Sequence, residues 1–111
     1  MKLPKQFYYK HNRLQQLKGF YYTVQSQSIS KAALKIGLSQ SAITLQIQSL
    51  ERDLNVKLFD RDKKRIKITE EGKLLYMCSA PYIQGIEDLF KTFINHAEAK
   101  KSNTINLAAN H

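Results

Sequence analysis

A helix, a three-residue turn and a second helix are predicted in the first half of the chain, and few folds accommodate two helices joined so tightly. Ser28 or Ser30 can cap the first helix, and Gly37 can take the left-handed backbone conformation that ends it. Ser39 is then the cap of the second helix, Gln40–Leu54. This order of elements predicts a helix-turn-helix, a motif whose second helix lies in the major groove of DNA.

The second helix of the motif has an apolar face and an opposite face that is mostly polar. The apolar face repeats at intervals of three or four residues, as in a helix packed on a core: Ile43, Ile47, Leu50 and Leu54. The opposite face carries mostly short or amide-bearing side chains: Ser41, Leu45, Gln48 and Arg52, flanked by Gln40 and Thr44. Glutamine can pair with adenine, and Leu45 can lie against a thymine methyl group. Because no Lys or Arg lies between Gln40 and Leu50, we expect a preference for A·T-containing sites.

Basic residues are concentrated in the part of the chain that contains this motif. Residues 1–68 carry fourteen Lys and Arg against four Asp and Glu, whereas residues 69–111 carry four against five, so the first part holds the whole net charge of +9. This segregation predicts a polyanionic partner, and double-stranded DNA fits better than an anionic membrane, which favours one basic amphipathic helix. The predicted phosphate-binding residues are Lys31, Lys35, Arg52, Arg61, Lys63, Lys64, Arg65 and Lys67.

A further helix and a hairpin are predicted on either side of the motif. Apolar residues at helical intervals place a helix of about four turns at residues 14–24. Two short extended segments, residues 57–59 and 65–68, follow the motif, and a charged tip at residues 60–64 joins them into a hairpin. The predicted fold is therefore mainly α, with a three-helix core and a β-hairpin.

A long fourth helix is predicted after Thr69, with Glu70 and Glu71 in its first turn, where the helix dipole favours carboxylates. Pro81 is predicted to kink this helix or to split it near Ser79. Its apolar residues alternate steps of three and four, as in helices that pair with one another. Because a short domain has little core to cover this face, we expect a second copy to cover it. The predicted dimer interface contains Leu75, Tyr82, Ile86, Leu89, Phe90 and Phe93.

The sequence argues against several other classes of protein. A single cysteine, Cys78, allows neither an internal disulfide nor a structural zinc site, which is usual in a reducing cytosol. The first residues lack the apolar run of a signal peptide, and no stretch reaches the roughly 20 apolar residues of a membrane span, so a cytoplasmic location is expected. No paired carboxylates, activated nucleophile or glycine-rich phosphate loop is present, so we expect no enzymatic activity, no metal and no cofactor in this chain.

Six short segments of the chain form a combination that is specific when taken jointly. They are Leu17 with Phe20, Ser28-Ile29-Ser30-Lys31-Ala32-Ala33, Ser39-Gln40-Ser41-Ala42-Ile43-Thr44, Leu50-Glu51, Leu58-Phe59-Asp60-Arg61 and Thr69-Glu70-Glu71-Gly72. Together they resemble the N-terminal signature of LysR-type transcriptional regulators of bacteria. The match runs without gaps over about residues 14–100.

The resemblance implies a winged helix-turn-helix with an N-terminal arm at residues 1–68 and a linker helix at residues 69–101, which pairs antiparallel with that of a second copy. It also implies that residues 102–111 start a C-terminal domain that binds a small-molecule effector, so that this chain is a fragment and the full protein can form higher oligomers. The apolar alternation of residues 105–109 is expected to be the first strand of that domain. By resemblance, the DNA-contacting positions are Gln40, Ser41, Thr44 and Gln46, with wing contacts near Arg61 and Arg65.

The chain departs from the family pattern at three positions. Ser41 replaces a usual proline, which leaves one more amide donor at the start of the helix. Leu45 stands where a basic residue is common, which puts a phosphate or guanine contact there in doubt. Asn55 replaces a usual glycine just after the helix, with little consequence because Asn can also take the left-handed conformation.

Two functions of different classes are compatible with these features. The first is a sequence-specific transcriptional regulator that binds an inverted-repeat operator as a dimer. The second is a sequence-indifferent module that coats DNA or serves only for dimerisation. The amide and methyl groups on the second helix of the motif favour the first, because a coating protein would place Lys and Arg there.

Overall fold

The computed structural model describes residues 12–62 and 65–107, and this part of the chain contains four helices and one two-stranded hairpin. The elements are α1 (Arg13–Ser26), α2 (Ile29–Ile36), α3 (Gln40–Leu54), β1 (Phe59–Asp62), β2 (Arg65–Ile68) and α4 (Glu70–Leu107). The predicted class, a three-helix core with a hairpin and a long final helix, is confirmed. Residues 1–11 of the predicted arm lie outside the described residues.

The turn between α2 and α3 forms around the capping residues that the sequence indicates. Ser28, one of two candidate caps, accepts a hydrogen bond from the Lys31 amide at 3.1 Å, and Gly37 ends α2 with a φ of 72°. Ser39 accepts a hydrogen bond from the Ala42 amide at 3.1 Å and starts α3. These local bonds join α2 and α3 through a turn of only three residues.

An apolar core holds α1, α2, α3, the hairpin and the start of α4 together. Its buried members are Phe20, Ala33, Ile43, Ile47, Leu50, Leu58 and Phe59. The rings of Phe20 and Phe59 lie 5.6 Å apart, so α1 packs directly on β1. Tyr21 of α1 stacks on Tyr76 of α4 at 5.0 Å. Desolvation, together with the neighbouring Tyr21, raises the pKa of the Tyr76 phenol above its ordinary value.

The start of α4 lies close to the segment before β1 because Gly72 has no side chain. A Cβ on Gly72 would lie 2.7 Å from Ile68 Cγ1 and closer still to the backbone oxygen of Leu58. Thr69 caps α4 by accepting a hydrogen bond from the Gly72 amide at 2.9 Å, and its hydroxyl donates to the Lys57 oxygen at 2.6 Å. The Thr69 amide donates to the Leu58 oxygen at 3.0 Å. These bonds fix the first turn of α4 on residues 57–58.

The hairpin begins two residues later than predicted. Antiparallel pairing of β1 with β2 starts at Phe59, so residues 60–62 lie in the strand and not in the tip. Residues 57–58 precede the strand: the Leu58 amide donates to Glu51, and the oxygens of Lys57 and Leu58 accept from the hydroxyl and amide of Thr69, so these groups do not pair with a second strand. The predicted first strand and tip are therefore wrong at these positions, whereas the predicted second strand is confirmed.

Helix α4 is continuous through Pro81, so the predicted split near Ser79 is wrong. Proline removes one backbone hydrogen bond, and the bonds of the turns on either side are enough to maintain the helix. The helix also includes residues 105–107, where a strand was predicted. That prediction is wrong for these residues because the existing helix extends into a very short alternating pattern. Residues 108–109 lie outside the described part.

The chain divides into two compact units, Met1–Ala80 and Pro81–His111. The first unit therefore ends further along the chain than the domain boundary predicted after residue 68. The reason is that Leu75 and Tyr76, in the second turn of α4, pack against the core of the first unit. In the second unit, the described residues all belong to the remainder of α4.

Candidate nucleic-acid interface

The mostly polar face of α3 is turned to solvent. Ile43, Ile47 and Leu50 of the opposite face are buried, and they fix the rotation of the helix about its own axis. Four of the six predicted base-reading residues are exposed and a fifth, Thr44, is half-buried. The exposed ones are Gln40, Ser41, Leu45 and Gln48.

Gln46, the sixth predicted base-reading residue, does not join this face. Its Oε1 atom is buried, and a Cβ on Gly19 of α1 would lie 2.8 Å from it. Gly19 therefore leaves the space that the Gln46 amide occupies between α1 and α3. The family resemblance predicted that Gln46 contacts DNA, and this contact stays a prediction; the structure places the amide oxygen of Gln46 against α1.

A network of polar side chains fixes α3 on α1. Arg13 Nη2 forms a salt bridge with Asp53 Oδ2 at 2.8 Å, and Arg13 Nη1 donates to Gln16 Oε1 at 2.7 Å. Gln16 Nε2 donates to Ser49 Oγ at 3.1 Å, and Gln16 is only 1% exposed. Because such bonds are directional, they set the position of α3 along α1. Sequence reasoning missed these residues, since the partners are 33 and 40 positions apart and share no local pattern.

Glu51 joins the end of α3 to the hairpin. Its Oε2 atom accepts hydrogen bonds from the amides of Leu58 at 2.8 Å and Phe59 at 3.2 Å. Glu51 is 7% exposed, and its backbone oxygen accepts from the Val56 amide at 3.1 Å. The carboxylate thus supplies an acceptor to two amides where the chain enters the hairpin. The sequence marked Glu51 only as part of the family resemblance and assigned it no role.

The predicted phosphate-binding residues of α2, Lys31 and Lys35, are both exposed. The Lys35 ammonium lies 5.3 Å from the centroid of the Tyr22 ring, which is a cation–π distance. Lys35 therefore has an aromatic partner within the protein that competes with phosphate. Arg52, in the last turn of α3, is exposed as well.

The hairpin presents cations on both of its faces. Its exposed cations are Arg61, Arg65 and Lys67, while Lys63 and Lys64 lie outside the described residues. Directly opposed residues of an antiparallel pair share a face, and here Lys67 is opposite Asp60 whereas Arg61 is opposite Ile66. Asp60 therefore reduces the positive potential around Lys67, and Arg61 extends from the same face as Ile66.

In the second unit, a row of exposed apolar side chains runs along one face of α4. Leu89 and Phe93 are 60% and 66% exposed. Tyr82 and Phe90 are also exposed, and Ile86 is half-buried. At 3.6 residues per turn these five side chains fall within an arc of about 100°. Leu75, the remaining residue of the predicted dimer interface, packs against the core of the first unit, so the structure assigns it to that core.

Neither a membrane-spanning helix nor a metal-binding cluster occurs in the described residues. Within 12–62 and 65–107 no helix is both long and apolar enough to cross a membrane. The same residues contain no group of three or more His, Cys, Asp or Glu side chains arranged to hold a metal ion.

Curated relatives match the chain over most of its length. The HTH-type transcriptional regulator GltR of Bacillus subtilis is 41% identical over 75 residues, which are 68% of this chain and 25% of GltR. The probable RuBisCO transcriptional regulator of Cyanidioschyzon merolae is 35% identical over 88 residues, which are 78% of this chain and 29% of that regulator. The chain therefore spans less than a third of the length of these relatives.

The chain also matches solved structures and a family profile. The DNA-binding domain of BenM, in complex with catB site 1 DNA, matches with a TM-score of 0.65 and 30% identity over 76% of this chain and 93% of that one. The full-length virulence activator AphB of Vibrio cholerae matches with a TM-score of 0.67 and 26% identity over 72% of this chain and 28% of AphB. The profile of the bacterial regulatory helix-turn-helix proteins of the lysR family matches residues 14–73, more than half of the chain. With the helix-turn-helix formed by α2 and α3, this match shows that the chain belongs to the LysR family of bacterial regulatory proteins.

Proposed function

We propose that this chain is the DNA-binding part of a transcriptional regulator that recognises a specific sequence in double-stranded DNA as a homodimer. One observation carries the proposal: the exposed face of α3 has no cation between Gln40 and Leu50, whereas exposed cations lie on α2, in the last turn of α3 and on the hairpin. Base edges are read by amides, hydroxyls and methyl groups, and phosphates are held by cations. The similar BenM domain was solved bound to DNA.

In this proposal the first half of α3 enters the major groove. Its reading set is the face described above, without Gln46, because the amide oxygen of Gln46 is buried against α1. Amide and hydroxyl groups, with one leucine and no arginine, favour A·T-containing half-sites. The reading set is Gln40, Ser41, Thr44, Leu45 and Gln48.

Phosphate contacts are assigned to the cations around α3. Contacts of this type hold the protein on the duplex and make the affinity depend on salt, without reading the sequence. Lys35 is the weakest candidate because it already lies over Tyr22. The proposed set is Lys31, Lys35, Arg52, Arg61, Lys63, Lys64, Arg65 and Lys67.

The dimer is assigned to the exposed apolar row of α4. Four large side chains on one face of a helix are costly to leave in water, and a second copy of the helix offers the same row. A two-fold dimer presents its two α3 helices in opposite directions, so the operator is an inverted repeat. Half-site centres are then roughly 34 Å apart along the duplex, or a multiple of that distance.

The role of the chain within a longer regulator is also part of the proposal. Residues 69–101 would serve as the linker helix, and residues 102–111 would lead into a domain that binds a small-molecule effector. The chain acts by binding and not by catalysis, in keeping with relatives that are named as transcriptional regulators.

Selection from a random pool of duplex oligonucleotides tests this function. We expect the protein to enrich an inverted repeat with A·T-containing half-sites. Gln40→Ala should lower affinity for the enriched site by about 1–3 kcal/mol and affect random DNA much less. Leu34→Ala, at an 85% exposed position of α2 outside the proposed reading face, is the control and should change neither. A pool that stays unenriched would overturn the proposal in favour of the coating module.

A further inference from the structure

Leu45 is an exposed apolar side chain in the middle of the proposed reading face. It is 65% exposed, whereas Ile43 and Ile47 on the inner side of α3 are fully buried. Leu45 therefore contributes little to the core, and the core gives no reason for a leucine at this position. The residues one turn before and one turn after it on the same face are Ser41 and Gln48, and both are exposed.

The surroundings of Leu45 limit what it can contact. At helical spacing its exposed neighbours on α3 are the polar Ser41 and Gln48, and the one apolar neighbour, Ala42, is small and half-buried, so the exposed apolar area is mainly that of Leu45 itself. A protein partner needs a cluster of apolar side chains, which this face does not offer. In the major groove, by contrast, the apolar feature presented by base pairs is a single methyl group, on C5 of thymine. One exposed leucine side chain is large enough to cover one methyl group, and both groups are apolar.

We propose that Leu45 makes binding depend on a pyrimidine 5-methyl group in the major groove. The inference rests on the proposed function and deepens it by naming the chemical group that one residue of α3 reads. Because the contact involves only the methyl group, 5-methylcytosine supplies it as well as thymine does. The absence of a cation at this position also removes the competing attraction to guanine or to phosphate.

The size of the effect follows from the burial of one methyl group. Deletion of the methyl should weaken binding about fourfold in each half-site, which corresponds to about 0.8 kcal/mol for one buried carbon. In an inverted repeat both half-sites lose the contact, so the loss should multiply to about 15-fold. Thymine and cytosine differ in their hydrogen-bonding groups, so the comparison is made within the pairs thymine/uracil and 5-methylcytosine/cytosine.

The experiment uses the duplex recovered by the pool selection. Each thymine is replaced in turn by deoxyuridine, and Kd is measured by fluorescence anisotropy at one salt concentration. We expect one position in each half-site to show the fourfold loss. At that position, cytosine should bind more weakly than 5-methylcytosine by the same factor.

Three variants assign the effect to a residue. Leu45→Ala should bind the methylated and unmethylated duplexes equally, and its exposed position means that the fold is retained, which circular dichroism checks. Leu34→Ala, at a leucine of α2 that is 85% exposed, is the control and should keep the full methyl dependence. Thr44→Ser removes the methyl group of Thr44 on the same face, and this variant should also keep the full dependence of binding on the pyrimidine methyl group.

The outcomes separate the inference from the function on which it rests. Specific binding that is unchanged at every deoxyuridine position would overturn the role of Leu45 and leave the proposed function intact. Full methyl dependence in Leu45→Ala would overturn it in the same way. Equal affinity for the selected and random duplexes would instead overturn the proposed function.

Discussion

Gly72 is the position in α4 where one added methyl group should be costly. A Cβ there would lie 2.7 Å from Ile68 Cγ1 and closer to the Leu58 oxygen. The isoleucine can shift, but the Leu58 oxygen is backbone and is bonded to the Thr69 amide at 3.0 Å. Overpacking costs up to about 3 kcal/mol, and the better helix propensity of alanine returns about 1 kcal/mol. We expect Gly72→Ala to lower the free energy of unfolding by about 2 kcal/mol.

Gly85 provides a matched control in the same helix. Nothing lies within 4 Å of a Cβ at Gly85, so Gly85→Ala should raise the free energy of unfolding by about 1 kcal/mol through helix propensity alone. Urea titrations followed by circular dichroism, at equal protein concentration because a dimer is expected, measure both variants. A Gly72→Ala protein as stable as the parent would refute the close packing of α4 on residues 57–58.

Three further predictions concern the hairpin, the cations and the dimer. Glu51→Ala leaves the Leu58 and Phe59 amides without their acceptor and should lower the free energy of unfolding by about 3 kcal/mol. Glu51→Gln keeps one acceptor oxygen and should lower it less, and equal losses would refute the role of Glu51 as the acceptor for these amides. Arg65→Ala should weaken binding to specific and random DNA alike and reduce the slope of log K against log salt by about one; an unchanged slope would remove Arg65 from the phosphate contacts. Leu89→Asp combined with Phe93→Asp should give a monomer in sedimentation at micromolar concentration, whereas Asn95→Asp, on the opposite side of α4, should remain dimeric. A double variant that still dimerises would place the interface elsewhere.

The helix-turn-helix could be predicted because short-range signals determine it. Serine hydroxyls at Ser28 and Ser39 cap helices through bonds to amides three residues away. Gly37 and Asn55 end α2 and α3 in the left-handed conformation that the sequence indicated. The apolar period of α3 also fixed which side chains face solvent, which is why most of the proposed reading face could be predicted.

The features that the sequence did not reveal depend on contacts between distant residues. Residues 57–58 use backbone groups to bond Glu51 and Thr69 instead of a second strand, so β1 starts later than predicted. The salt bridge of Arg13 with Asp53 joins residues 40 positions apart. The position of the Gln46 amide depends on Gly19 of α1, because a glycine has no side chain to fill the space that the amide occupies. A residue pattern within one helix contains no information about such pairs.

The central claim is that α3 reads sequence while the surrounding cations hold the phosphates. The most direct test is the ratio of two dissociation constants, for a random duplex and for the selected inverted repeat, measured with the same protein at one salt concentration. Specific regulators bind their sites about 10³-fold or more tightly than random DNA, and we expect a ratio of at least about that size. A ratio near one would contradict the claim and assign the chain to sequence-indifferent binding.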